Sequence, residues 1–309
     1  MNVNDDIPFN RNFPLQPNVV DEVAPGVRRL LCNNPSPFTF TGSVSYIVGK
    51  GKVAIIDPGP ADEAHAEALL SAVRNETVTH IFVTHTHNDH SPGAARIKAA
   101  TGATVYAEGP HRASRPAYAS EIRSTESGAD RNFRPDVTLK DGDVVSGDGW
   151  ALEAVTTPGH TANHMAFAWK DRGQMFIGDH VMGWSTSIVA PPDGSMVDYM
   201  ASLDKLTQRD ENLYFSGHGA EIPDAIRFVY FLSRHRKARE ASILHRLAKG
   251  AADIPTIVRA SYIGIDPRLM GAAGYSVLAH LEDLVGRNVV ATDGDPTIDG
   301  VYRLTGPLA

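Results

Sequence analysis

From His85 to His90, in Thr84-His85-Thr86-His87-Asn88-Asp89-His90, six residues hold three imidazoles and a carboxylate. With 13 histidines in 309 residues, chance supplies such a pattern in about one chain in a thousand. The preceding run His80-Ile81-Phe82-Val83-Thr84 is apolar and β-rich, which predicts a buried strand. Ser91-Pro92-Gly93 then turns the chain into a helix expected from near Ala94. The cluster therefore falls where a strand ends. His85 and His87, two residues apart, project to one side of extended chain, and Asp89 and His90 follow in the turn.

Working outward, the same arrangement recurs. Leu152 to Val155 leads into Thr157-Pro158-Gly159-His160, Gln174 to Ile177 into Gly178-Asp179-His180, and Asn212 to Phe215 into Ser216-Gly217-His218. Each is a short apolar strand, then glycine, which lets the backbone turn sharply and present the next side chain at the sheet edge. A lone histidine is ordinarily a surface or hydrogen-bonded residue. A set of imidazoles and carboxylates at strand ends is different, because crowding them costs desolvation and protonation energy that a divalent cation offsets. These nitrogen and oxygen donors suit zinc first, and also iron or manganese.

Composition narrows the class. The net charge is -7, so the chain as a whole is no polycation, and no run approaches the ~20 apolar residues that span a bilayer. Met1 to Pro14 is polar and acidic, without the basic-then-apolar order of a secretory signal. A cytoplasmic globular protein with no membrane partner is expected. The single cysteine, Cys32, permits neither an intramolecular disulfide nor a Cys-rich zinc site.

The run His85 to His90, with His160, Asp179 and His218 following in order, resembles the metallo-β-lactamase superfamily signature. Asp57, in Ile55-Ile56-Asp57-Pro58-Gly59, matches the first block, a carboxylate that steadies the metal loop. The resemblance implies an α/β fold, an αββα sandwich with two metal ions at one edge. His85, His87 and His160 would hold one ion; Asp89, His90 and His218 would hold the other; Asp179 would bridge them. It also implies hydrolysis by a metal-bound hydroxide, with Asp89 as the catalytic carboxylate that orients the water or takes its proton. Zinc β-lactamases of the commonest type carry cysteine where this chain has Asp179, so antibiotic hydrolysis is not expected. Glyoxalase-II-like thioesterases share the His/Asp set, but their basic substrate-binding residues have no matching counterpart here.

Acidic residues dominate as far as residue 220, and the balance then reverses. Ile222 to Ala248 reads as one long or two abutting helices, and Arg227 to Lys249 carries Arg227, Arg234, Arg236, Lys237, Arg239, Arg246 and Lys249. Helices over Pro255–Tyr262 and Met270–Val285 and a hairpin of Asn288–Ala291 with Gly300–Leu304 complete the pattern of a small winged-helix domain. The expected division is 1–222 for the catalytic sandwich and 223–309 for the linker helix and winged helix. This organisation resembles the lactamase-beta-like protein 2 branch, which includes a single-strand-selective endoribonuclease. Single-stranded RNA is thus the leading substrate expectation, with the basic helix as its track. The alternative is a thioester, lactone or other small-molecule ester, and the non-enzymatic reading is a nucleic-acid-binding or scaffold protein with an inert metal site. A homodimer is expected from the family alone. Pro110 to Pro135, rich in arginine and small residues, reads as a lid over the metal edge, and His111, His164 and Trp184 are the candidate substrate contacts.

Overall fold

The computed structural model describes residues 7–118, 121 and 128–307. A seven-stranded sheet runs in sequence order: β1 Asp21–Ala24, β2 Val27–Leu31, β3 Val44–Val48, β4 Lys52–Ile56, β5 Thr77–Phe82, β6 Thr104–Ala107 and β7 Val137–Thr138. Its early strands are antiparallel hairpins. From β4 onward they are parallel, because α1 (Glu63–Ala72) and α2 (Gly93–Thr101) carry the chain back across one face. The second sheet holds β8 Val144–Ser146, β9 Ala151–Thr156, β10 Met165–Trp169, β11 Gln174–Gly178, β12 Leu213–Ser216 and β13 Ile222–Pro223 in the order β13-β12-β11-β10-β9-β8. Helix α3 (Met196–Leu206) makes the crossover between the parallel pair β11 and β12.

Alternation within strands builds the layers. Val44, Tyr46 and Val48 of β3 meet Met165 and Phe167 of β10 between the sheets, with Phe82, Phe176 and Phe215. The outward-facing Ile47 and Ile55 pack under Leu69 of α1 and Ile97 of α2. On the other side Ala166, Ala168 and Ile177 lie under Tyr199 and Leu203 of α3. Both sheets are therefore covered on both faces, the αββα arrangement.

Helix α4 (Ala225–Leu247) links this body to the C-terminal unit. Its first half, Phe228, Val229 and Leu232, packs with the sandwich. Its last turns, Ile243 and Leu247, pack instead with α5 (Ile254–Ser261), α6 (Met270–Gly286), Val290 and Tyr302. Strand β14 (Ala252–Asp253) joins the hairpin of β15 (Val290–Thr292) and β16 (Val301–Leu304) in a three-stranded sheet. Ile222, expected as the start of the long helix, instead pairs with Tyr214 at the sheet edge. Asp253 caps α5 by accepting from the Thr256 amide at 2.9 Å. No helix of the described residues is long and apolar enough to cross a membrane.

Candidate metal centre

The ends of β5, β9, β11 and β12 meet at one edge of the sandwich, and the segments that follow them bring seven side chains together. Leaving β5, the chain reaches His85 and His87; leaving β9, His160. His85 Nε2 and His160 Nε2 each lie 3.0 Å from His87 Nδ1. One ring nitrogen cannot satisfy two such neighbours by hydrogen bonding, whereas ligand atoms on a tetrahedral zinc, with Zn–N near ~2.0–2.1 Å, stand only slightly farther apart. Beside this trio, Asp179 Oδ2 is 3.2 Å from His218 Nε2, and Asp179 Oδ1 is 3.5 Å from His90 Nε2. Asp89 Oδ2 is 3.3 Å from both His90 Nε2 and His218 Nε2. The donor atoms group as His85–His87–His160, His85–His90–Asp179 and Asp89–His90–His218, each group within 4.8 Å.

The second ring nitrogen of four of the five imidazoles is tied down. His85 Nδ1 meets the Thr84 hydroxyl at 3.0 Å, His160 Nδ1 the Ile188 carbonyl at 2.6 Å, His218 Nδ1 the Gly42 carbonyl at 3.1 Å and His90 Nδ1 the Asp57 carboxylate at 3.1 Å. Such ties set ring orientation and leave Nε2 facing the centre. Asp57 itself accepts from the Thr84 amide and hydroxyl, both at 2.7 Å, from a backbone with φ of 49°. It thus joins the His85–Thr84 turn to His90. Gly217 is required by space: a Cβ there would sit 2.3 Å from Asp179 Oδ1.

Electrostatics agree. Burial opposes charge on His90 and His218, yet Asp89 and Asp179 reverse it, holding His90 well above its ordinary value and pushing His218 up to about 10. The trio goes the other way: burial, then His160, pushes His87 down to about 3, and burial and its histidine neighbours hold His85 well below its ordinary value. His90 Nε2 and Asp179 Oδ1 are buried and lack any hydrogen-bond partner. A trio of imidazoles held neutral next to carboxylates that otherwise draw protons onto His90 and His218, with ligand atoms left over, fits divalent cations.

Of the three expected substrate contacts, His164 requires correction. It is wholly buried, hydrogen-bonded through Nδ1 to Thr157 at 2.8 Å and stacked between His85 and His180, so no substrate reaches it. His180 likewise points away from the centre, against Tyr199. His111 is held between Thr86 and Asp193. Trp184 stacks on Phe40, ring centroids 4.8 Å apart, and lines a cavity beside the centre. The lid is described only in part, and Arg123 lies outside the described residues. Its Arg115 grips Glu121 at 2.8 Å and Glu282 of α6, over the Tyr118 ring, a tie between the lid and the C-terminal unit that no sequence signal marked.

The basic helix also differs from the expectation of a phosphate track. Arg227, Arg234, Lys237 and Lys249 are exposed and Arg246 is half-buried, while Arg236 and Arg239 are buried.

Comparison with known proteins accords with this geometry. Residues 38–218 match the metallo-beta-lactamase superfamily, and residues 254–299 match the beta-lactamase associated winged helix domain. The chain belongs to the metallo-β-lactamase superfamily and is a metal-dependent hydrolase of that class. It is 31% identical over 229 residues to the beta-lactamase-like protein 2 homolog of Caenorhabditis elegans, covering 73% of this chain and 72% of that one. It is 29% identical over 243 residues to the atrochrysone carboxyl ACP thioesterase of Passalora fulva, covering 75% of this chain and 65% of the thioesterase. A beta-lactamase domain protein from Burkholderia ambifaria shares the fold with a TM-score of 0.77, at 21% identity over 95% of this chain and 97% of that one.

Proposed function

We propose that this chain hydrolyses the thioester or ester bond of a small acyl substrate at a dinuclear metal centre. The observation that carries the reading is a cavity of about 530 Å3 that meets the centre at Ile188, whose carbonyl holds the His160 ring, with Phe38, Phe40, Trp184 and Tyr262 in its wall; this is the size of a small-molecule pocket. The thioesterase relative supports the same bond type.

In this reading His85, His87 and His160 hold one ion, Asp89, His90 and His218 hold the other, and Asp179 lies between them. Zinc is the metal proposed, and the same donors accommodate iron or manganese. When bound, such ions polarise a carbonyl and lower the pKa of water to about 7. The chain's own groups do the rest. Asp89 Oδ2 accepts from the Ser43 hydroxyl at 2.9 Å and lies 3.3 Å from His90 Nε2 and His218 Nε2, which places the carboxylate and leaves Oδ1 to accept a proton during attack and pass it on to the leaving sulfur or oxygen. Asp57 and the Gly42 and Ile188 carbonyls hold the rings in place throughout.

Single-stranded RNA remains the second reading, favoured by exposed Arg227, Arg234 and Lys237 on α4. The test is side-by-side turnover of an acyl thioester panel and a fluorescent RNA by metal-loaded protein and by Asp89→Asn. Thioester turnover lost in the variant is expected; RNA cleavage lost in the variant, without thioester turnover, would replace this reading with the second.

A further inference from the structure

The cavity lies between the sandwich and the C-terminal unit, and Arg236 and Arg239 of α4 line it. Both are buried, at 2% and 4% exposed. Arg236 donates to the Ser187 carbonyl and lies 5.0 Å from the Tyr199 ring centre. Arg239 donates to the Ser261 carbonyl and to His235 and lies 3.9 Å over Tyr262. Every one of these partners is neutral, and the Nε–H of each arginine is buried without an acceptor. Among the described residues neither arginine meets a carboxylate; Asp266, the acid in the cavity wall, is engaged by Arg268 at 2.7 Å. Burial first, with Arg236 adding to it, holds Arg239 below its ordinary value despite the opposing pull of Tyr262.

Two buried guanidiniums without counter-charge are expensive. Their planar forks match a carboxylate or phosphate, which binds through paired N–H donors. The cavity also adjoins the metal centre: Ile188 is in its wall, and the Ile188 carbonyl receives the His160 ring. We propose that Arg236 and Arg239 form an oxyanion subsite that takes the carboxylate or phosphate of a small, largely apolar acyl substrate, its body lying against the aromatic wall. The fate of the ligand rests on the hydrolase reading above, but its binding requires no turnover.

The test is calorimetric titration with 2-naphthoate and with neutral 2-naphthamide, using metal-loaded protein and protein stripped by chelator. Naphthoate is expected to bind at least tenfold more tightly than the amide in both forms, and Arg239→Gln is expected to remove that preference while metal content is retained. Because Arg239 also holds the Ser261 carbonyl, the comparison of the two probes on the unmodified chain stands even if the variant fails to fold. Equal affinity for the two probes, no binding of either, or a preference that vanishes with the metal would overturn the proposal. Competition by inorganic phosphate at concentrations comparable to naphthoate would identify phosphate as the preferred oxyanion; failure of phosphate to compete would identify carboxylate. Displacement of naphthoate by a single-stranded octauridylate would overturn the small-ligand assignment. An intact anion preference in a protein that turns over no thioester would count against the hydrolase reading and leave the subsite standing.

Discussion

Two regions bury histidines at high density, the metal edge and the inner face of α4, and they solve the electrostatic problem in different ways. At the edge, Asp89, Asp179 and Asp57 are interleaved with five imidazoles, and the rings of His85, His90, His160 and His218 each have a fixed partner on the far nitrogen. Around α4, His235, Arg236, Arg239 and His280 gather, neither arginine meeting a carboxylate among the described residues, and burial followed by Arg236 and Arg239 holds His235 down at about 3. The first region carries negative charge and wants cations. The second carries positive charge and wants an anion. The proposed turnover of a charged acyl substrate would use both, one to activate the bond and one to place it.

The comparison can be broken most sharply at its negative pole. Asp179→Asn should lower hydrolysis to background, with metal analysis showing ions lost, since the residue lies against both histidine sets, 3.8 Å from His160 Nε2 and 3.2 Å from His218 Nε2. Asp89→Asn should cost about 10^2–10^4-fold in kcat, read by steady-state turnover, while metal remains detectable. Asp57→Ala leaves the donor atoms in place but removes the hold on Thr84 and His90; metal affinity should fall about 10–100-fold, measured by competition with a chelator.

The charge balance sets a pH dependence as well. In metal-free protein His218 is raised from 6.5 to about 10, so its contribution to stability is complete below pH 6.5 and is lost as pH rises through 10. Thermal unfolding of chelator-treated protein should therefore weaken across that window. The metal-loaded protein should not follow, because bound metal holds the ring unprotonated. The smallest effect belongs to the seam between the regions: Arg115→Ala severs the tie from the lid to Glu282 and should cost about 1–3 kcal/mol, read from the denaturant midpoint.

The metal edge was legible because its chemistry is dense along the chain. His85 to His90 is contiguous, and each later candidate follows an apolar strand and a glycine, a pattern with a direct structural meaning. The layers came instead with the family resemblance that those residues carry, because Val44-Ser45-Tyr46-Ile47-Val48 and Met165-Ala166-Phe167-Ala168-Trp169 are buried along their whole length and show no polar alternation. Backbone partners left no such trace: nothing in the identity of Gly42 or Ile188 announces a carbonyl aimed at His218 or His160. The α4 cluster was hidden differently. Arg236 and Arg239 sit among exposed Arg234 and Lys237, and helical periodicity reports which side is apolar, not that a cavity waits on one face. His164 misled because a histidine near the ligands in sequence packs behind them in space. The two-residue strand β14 is too short to show any alternation.

Metal stoichiometry tests the central claim most directly. After reconstitution and removal of loosely held ions, elemental analysis of the parent chain should give two divalent ions per chain, with Asp179→Asn retaining at most one. A parent that binds no more than one ion per chain, with an Asp179→Asn variant indistinguishable from it, would contradict the dinuclear centre on which the account is built.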